Sequence, residues 1–233
     1  AVIEMVCGAT ASSFEYMKKD GDRVVPGDVL ARVEAPTQLM LTAERTALNL
    51  LCHLSGVATA TAQWVDAITG TTAIIRDTRK TTPGLRALEK YAVRCGGGQN
   101  HRMSLSDAAL VKDNHIVAAG GVAEAFEKVR ALATTLPIEI EVDTLDQLAV
   151  AIQAGADVVL LDNMAPAVMS EAVLIAQRHE AATGHAVLLE ASGGLTLNNA
   201  KDVAGTGVHF ISVGGLTHSS PILDIGLDLQ TII

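Results

Sequence analysis

Charge is unevenly placed in this sequence, and the uneven part could do chemistry. Residues 76–112, RDTRKTTPGLRALEKYAVRCGGGQNHRMSLSDAALVK, hold eight of the seventeen Lys and Arg residues against three acids. The segment therefore carries +5 while the remainder carries −14. Such a concentration in an acidic chain points to a bound anion. More candidates stand at the ends of short apolar runs. TAIIRDT ends in Asp77 and Thr78 and leads into Arg79 and Lys80, and AALVKDN ends in Lys112, Asp113 and Asn114. IEIEVD carries Glu139, Glu141 and Asp143, and DVVLLDN ends in Asp162 and Asn163. AVLLEAS brings Glu190 and Ser192 and is followed by Gly193 and Gly194, while HFISVGG ends in Gly214 and Gly215. Arg forks suit carboxylates and phosphates, and glycines let backbone N–H groups come close to an anion. Two glycine pairs after the last two strands favour phosphate. His101-Arg102 lies between two of these runs, so ligand contact there is an open reading.

The acids of IEIEVD occupy alternate positions, so all three point one way on a strand. An unpaired buried carboxylate is costly. Either these acids meet cations from neighbouring strands, with Arg79, Lys80 and Lys112 as natural partners, or that face opens to a ligand. Glu139, deeper in the strand, reads as structural; Glu141, nearer the rim, reads as functional.

The elements that would position these residues follow from the hydrophobic pattern. The six apolar runs alternate with helical patterns: GLRALEKYAVR, GVAEAFEKVRALA, TLDQLAVAIQAG, APAVMSEAVLIAQRHE and TLNNAKDVAG. That order implies a parallel sheet with helices outside, and continuous apolar strands fit burial on both faces. An open or incomplete (β/α) barrel is expected rather than a doubly wound sheet, because no GxGxxG opens a helix and the Gly-rich turns follow the last strands. The C-terminal ends of the strands would then converge on one rim. The first 36 residues differ, with apolar-polar alternation around Asp20-Gly21 and Pro26-Gly27 predicting short antiparallel strands. Residues 39–70 read as helical, with Gly56 expected to break or bend the helix, and Gly96-Gly97-Gly98 reads as a helix stop and flexible loop. The tail after Pro221 alternates again and could return to pair with the opening strands. The expected division is a first α/β domain over 1–70, a barrel over 71–216 and a returning tail over 217–233.

Composition narrows the class. The chain has 233 residues, 49% apolar and only 3% aromatic, so its core must rest on Ala, Val, Leu and Ile. A net charge of −9 argues against general nucleic-acid binding. No apolar run reaches the ~18 residues of a spanning helix, and the N-terminus reads poorly as a signal peptide. The three cysteines have no close spacing, which fits free thiols in a reduced cytoplasm. His53, His179, His185 and His209 read as structural, His115 and His218 stay open, and no HExxH-type spacing supports a metal held by protein alone.

Taken together, DTRKTTPGLRALEKYAVRCGGGQNHR, ALVKDNH, EIEVD, LLDN, EASGG and VGGLTHS resemble the quinolinate phosphoribosyltransferase family, and the likeness includes LTAERTALNLLCHLSG. The resemblance implies an N-terminal α/β sandwich followed by an open α/β barrel, with the tail packing back on the first domain. Family members have a longer front part, and this chain also starts without Met, so the first domain is expected to lack its front. The implied reaction joins phosphoribose from phosphoribosyl pyrophosphate to quinolinate, with loss of carbon dioxide, giving nicotinate mononucleotide and pyrophosphate for NAD biosynthesis, with Mg2+ accompanying the pyrophosphate. By resemblance, Arg79, His101, Arg102 and Lys112 hold the two carboxylates, and Arg45 reaches over from the partner subunit of a homodimer or dimer-based oligomer. Thr78 belongs to the same substrate-binding set, and Lys80 lies near quinolinate and pyrophosphate. Glu141 and Asp162 bind ribose hydroxyls directly or through Mg2+, and Ser192, Gly193, Gly194, Gly214 and Gly215 cradle the 5′-phosphate. A related phosphoribosyltransferase with another acceptor, as in the molybdenum-locus relatives, a Schiff-base aldolase using Lys80 or Lys112, and an inactive phosphate-binding fragment remain alternatives.

Overall fold

The computed structural model describes residues 1–8, 12–132 and 135–230. The ends of two sequence expectations, Ala133 in the predicted helix and residues 231–233 of the tail, lie outside the described residues. All six apolar runs are strands: β3 (Ile74–Arg76), β4 (Ala109–Val111), β5 (Ile138–Val142), β6 (Val158–Asp162), β7 (Leu188–Ser192) and β8 (Phe210–Ser212). They form one sheet in the order β3-β8-β7-β6-β5-β4 with every pairing parallel. Strands β3 and β4 are not bonded to each other, so the six-stranded α/β barrel is open along one seam. Gln99 partly fills that seam by pairing beside Arg76.

The two faces of the sheet differ in kind, which corrects the expectation of strands apolar on both sides. One set of alternate residues, Ile75, Val111, Ile140, Val142, Val159, Leu161, Leu189, Ala191 and Ile211, is buried in the core beneath the helices. The other set includes Arg76, Glu139, Glu141, Asp162, Glu190, Ser192 and Ser212 and faces inward. The apparent continuity of VVLL and VLLEA hides this alternation, because Val158, Leu160 and Leu188 share the inward face with the acids. The outer face supplies cohesion: burying one such side chain contributes about 1.5–3 kcal/mol, and Leu161→Ala would cost about 2–5 kcal/mol.

The covering helices start and stop where their residues dictate. The helix over Pro166–Thr183 opens with Pro in its first turn and ends at Gly184 in the left-handed region. The helices over Leu145–Gln153 and Leu197–Ala204 are capped by the hydroxyls of Thr144 and Thr196. A long helix, α2 (Thr37–Ala67), precedes the barrel, and α3 (Arg86–Cys95) follows β3. Three helices are not announced by the pattern: α1 (Val2–Cys7) opens the chain, and those over Asp113–Ala119 and Gly215–His218 follow β4 and β8.

In the first part of the chain, β1 (Ser13–Tyr16) pairs antiparallel with β2 (Ala31–Glu34), as the alternation predicts. Gly21 and Gly27 sit at φ 90 and 92, and the Asp22 and Asp28 carboxylates accept the turn N–H groups of Lys19 and Val25.

Gly56 does not break α2. The helix runs through it for 31 residues. A Cβ on Gly56 would stand 2.0 Å from the Pro221 carbonyl oxygen, so its role is to let the tail cross against the helix. The tail forms no strand over 220–230; Leu223 N–H instead donates to the Cys52 carbonyl at 3.0 Å. Gly96-Gly97-Gly98 does end α3, but it is packed rather than loose. A Cβ at Gly96 would meet the Ala58 carbonyl oxygen at 2.4 Å, and one at Gly98 would meet Thr61 Cγ2 at 2.8 Å.

Candidate functional site

Parallel register brings the strand ends together. Arg79 follows β3, Lys112 follows β4, and Arg102 leads from the Gln99 bridge toward β4. All three line one cavity of about 590 Å³, with Leu105, Ala109 and Leu110 supplying apolar wall. Burial first, and the Arg79 charge second, pull the Arg102 guanidinium below its usual range. One arm of Arg102 is fixed by donation from Nη1 to the Ala108 carbonyl at 2.8 Å. Lys128 lines the same cavity, and two guanidinium and two ammonium groups around a partly apolar space can hold a small polyanion.

Of the predicted partners for the β5 acids, only Lys112 is found: its Nζ lies 2.7 Å from Glu141 Oε2. Glu139 is paired instead by His101 Nε2, at 2.8 Å. Asp143 lies past the end of β5 and is exposed. On β6, Asp162 accepts a hydrogen bond from Asn163 Nδ2 at 2.6 Å and pairs in register with Ser192 of β7. Gly193 and Gly194 have φ 82 and 62. A Cβ on Gly193 would come within 2.3 Å of Asn163 Oδ1 and 2.9 Å of Asp162 Oδ1, so glycine is what allows this turn to close over Asp162.

Lys80 is exposed, with its Cδ 3.2 Å from the position of a Gly214 Cβ, and Thr217 Oγ1 donates to its carbonyl at 2.8 Å. Thr78 Oγ1 accepts the Lys80 N–H at 3.0 Å. A Cβ on Gly215 would meet open space. Arg45 is exposed on α2 and does not line the cavity. His115 caps the helix after β4 by accepting the Lys112 N–H at Nδ1, 2.9 Å away.

Beneath the rim lies a buried ionic network that the sequence only partly discloses. His101 Nδ1 accepts the Arg102 backbone N–H at 2.8 Å. The ring proton must therefore sit on Nε2, which donates to Glu139. Both nitrogens of His101 are thus engaged within the protein. Glu190, fully buried, is held by Arg76 Nη1 at 2.9 Å and by Ser212 Oγ. Burial first, then the Glu139 charge, push the Glu190 carboxyl above its usual range. His101, Glu139 and Glu190 place ligand-type atoms within 4.8 Å of one another. The tautomer forced by Arg102 makes Nε2 a donor, however, and Arg76 with Ser212 already occupies Glu190, so the group is a hydrogen-bonded network.

Glu89, Lys90 and Asn100 also support the site and were not singled out by sequence reasoning, and Asp77, named there as a strand-end residue, is their buried partner rather than a rim group. The signal that could have found the helical pair is two charges side by side on an otherwise amphipathic helix.

Comparison with known proteins agrees with this geometry. Residues 1–55 match the family description "Quinolinate phosphoribosyl transferase, N-terminal domain", and residues 57–228 match its C-terminal domain. A nicotinate-nucleotide pyrophosphorylase (carboxylating) of Mycobacterium leprae is 53% identical over 228 residues, covering 98% of this chain and 79% of that protein. The human protein of that name is 42% identical over 213 residues, covering 90% of this chain and 70% of the relative. Among solved structures, the nicotinate-nucleotide pyrophosphorylase from Ehrlichia chaffeensis superposes with TM-score 0.90 at 39% identity, covering 98% and 80% of the two chains. NadC from Streptococcus pyogenes does so with TM-score 0.88 at 39% identity, covering 95% and 76%.

Proposed function

The chain belongs to the quinolinate phosphoribosyltransferase family, and from that premise we propose how its rim carries out the reaction. The enzyme transfers phosphoribose from phosphoribosyl pyrophosphate to the ring nitrogen of quinolinate, releases the C2 carboxylate as carbon dioxide, and yields nicotinate mononucleotide and pyrophosphate. The observation that carries this reading is the cavity shared by Arg79, Arg102 and Lys112, whose three positive charges suit a pyridine dicarboxylate.

In this reading Arg79 and Arg102 grip the two carboxylates through their forks. Arg102 is already fixed by Ala108, so little freedom is lost on binding. His101 takes part by orienting the Arg102 peptide, since both its ring nitrogens are engaged. Lys112 bridges the substrate side and Glu141, which sets a negative charge below the place where the ribose becomes cationic. Asp162, on the neighbouring strand and the same inward face, does the same from the other side. Electrostatic preorganisation of this kind is worth about 2.7–4 kcal/mol of barrier per contact.

Lys80 serves the pyrophosphate, and the Ser192-Gly193-Gly194 and Gly214-Gly215 turns bring backbone N–H groups to the 5′-phosphate, with Thr78 shaping the Lys80 turn. Nitrogen attack comes first. The quaternised ring then accepts the electrons that decarboxylation leaves behind, so no covalent enzyme intermediate is needed.

The carboxylates of Glu141 and Asp162 are hard oxygen donors suited to Mg2+ carried in on the pyrophosphate. Such an ion would neutralise the leaving group. Arg45, exposed on α2, is proposed to complete the cavity of a second copy in a dimer. A cytoplasmic setting suits the biosynthetic reaction; among the described residues no helix is long and apolar enough to cross a membrane.

The test uses the purified chain, phosphoribosyl pyrophosphate, Mg2+ and quinolinate labelled in its C2 carboxylate. Labelled carbon dioxide and nicotinate mononucleotide should appear in equal amounts. Mononucleotide formed from nicotinate, with none from quinolinate, would overturn the reading.

A further inference from the structure

Helix α3 buries two charged residues side by side. Glu89 and Lys90 are both fully inaccessible, as is Asp77 at the end of β3. Buried charges persist where close partners offset the loss of hydration. Lys90 Nζ donates to Asp77 Oδ1 and, at 2.9 Å, to the His101 carbonyl. Burial pulls the Lys90 ammonium below its usual range, and Asp77 holds it up. Asp77 in turn accepts the His101 N–H at 2.8 Å and Asn100 Nδ2 at 2.6 Å. Asn100 Nδ2 also donates to the Lys90 carbonyl at 2.8 Å, and Arg94 holds its Oδ1 at 2.7 Å.

These bonds all converge on one weakly supported stretch of chain. Residues 99–101 lie along the open seam, and their backbone ladder is the Gln99 pairing with β3: Gln99 N–H to the Ile75 carbonyl at 2.8 Å and Asp77 N–H to the Gln99 carbonyl at 3.2 Å. Strand β4, across the seam, bonds to β5. The ladder alone leaves the next three residues, Asn100, His101 and Arg102, without a strand to set their height.

We propose that Lys90 and Asp77 are positioning residues: the buried pair ties the His101-Arg102 peptide to the base of the Thr78-Arg79-Lys80 turn and so fixes the spacing of Arg79 and Arg102. The pair touches no substrate. It acts through Arg102, and its functional half rests on the quinolinate reading above. Adjacent Glu89 does a different task from the same helix. Its carboxylate takes the Thr82 N–H at 3.0 Å and His53 Nε2 at 2.8 Å, which anchors the far end of the Arg79 turn.

The experiment compares Lys90→Met with Glu89→Gln and the unaltered chain by hydrogen-exchange mass spectrometry and steady-state kinetics. In Lys90→Met, the peptide spanning 96–104 should exchange at least tenfold faster, measured against the β6 peptide as an internal standard. The KM for quinolinate should rise at least tenfold, while that for phosphoribosyl pyrophosphate stays within twofold. Glu89→Gln should leave exchange over 96–104 as in the unaltered chain. If Lys90→Met does not fold, Asp77→Asn/Lys90→Met, which buries no unpaired charge, takes its place with the same expectations. Unchanged exchange over 96–104 in a folded variant overturns the proposal, and so does an equal rise in both KM values. Should the unaltered chain not consume quinolinate, the functional reading fails, and the exchange data still decide whether Lys90 holds the segment.

Discussion

Arg102→Ala would remove a cavity cation that burial already disfavours, and its two effects should part company. In the substrate complex the variant loses a charge-assisted contact to a carboxylate, worth about 1.5–3 kcal/mol. At about 1.4 kcal/mol per decade, this raises the KM for quinolinate roughly 10- to 150-fold. In the free protein the change removes the bond from Nη1 to the Ala108 carbonyl, about 1 kcal/mol. It also removes a guanidinium that burial and Arg79 both disfavour. The losses and gains oppose each other, so the thermal midpoint should fall by no more than about 4 °C. The assay is carbon dioxide release at saturating phosphoribosyl pyrophosphate with quinolinate varied, beside a melting curve. A quinolinate KM within twofold of the unaltered protein refutes the carboxylate assignment. A fall in midpoint well beyond that bound would mean that Arg102 holds the fold rather than serving substrate.

Gly56→Ala should destabilise despite the better helix propensity of Ala, which alone would add about 1 kcal/mol. Its Cβ would lie 2.0 Å from the Pro221 carbonyl oxygen, so the tail must shift; a stabilised variant with an undisturbed tail would contradict this. Gly193→Ala combines a positive φ with a Cβ pressed on Asn163 and Asp162, and should lower kcat at least tenfold; unchanged turnover would show that the turn does not control Asp162. Lys112→Met frees Glu141 from its partner and should raise the quinolinate KM at least tenfold, measured by the same carbon dioxide assay. Glu190, raised in the native state by burial and then by Glu139, contributes stability that is full below its unfolded value near 4.5 and is lost as pH rises through the native value. The stability of Glu190→Gln relative to the unaltered chain should therefore improve as pH rises from about 4.5; an offset independent of pH would refute the shift.

Strand positions were legible because each apolar run is short, bounded by turns and spaced for a βαβ unit. The inward polar face was less legible, since Leu160 and Val158 share it with Glu190 and Glu139 and blur the alternation. Helix α3 shows where pattern reading fails physically. Its apolar Leu88 and Tyr91 are 42% and 43% exposed while Glu89 and Lys90 are buried. The buried pair is stabilised by Asp77 and His101, partners distant in sequence that no local periodicity reveals. Gly56 and Gly96 misled for a related reason: close approach of another segment, invisible in one dimension, explains each glycine. Among the rim residues, the strand ends named Arg79, Lys112, Glu141 and Asp162 directly. The engagement of both His101 nitrogens depended on the three-dimensional placement of Glu139 at Nε2 and of the Arg102 N–H at Nδ1.

The opposite characters of the two sheet faces separate tolerance from talent. Side chains turned toward the helices decide whether a folded molecule exists, and those at the rim end of the axial face decide what it can hold. Drift confined to the rim end of the axial set, Glu141, Asp162 and Ser192 among it, could retune recognition while leaving the adhesive shell intact, whereas Arg76, Glu139, Glu190 and Ser212 beneath them form a buried ionic network whose members cannot change singly. A library built on those rim positions alone should therefore yield many folded proteins and few that resemble the parent in appetite.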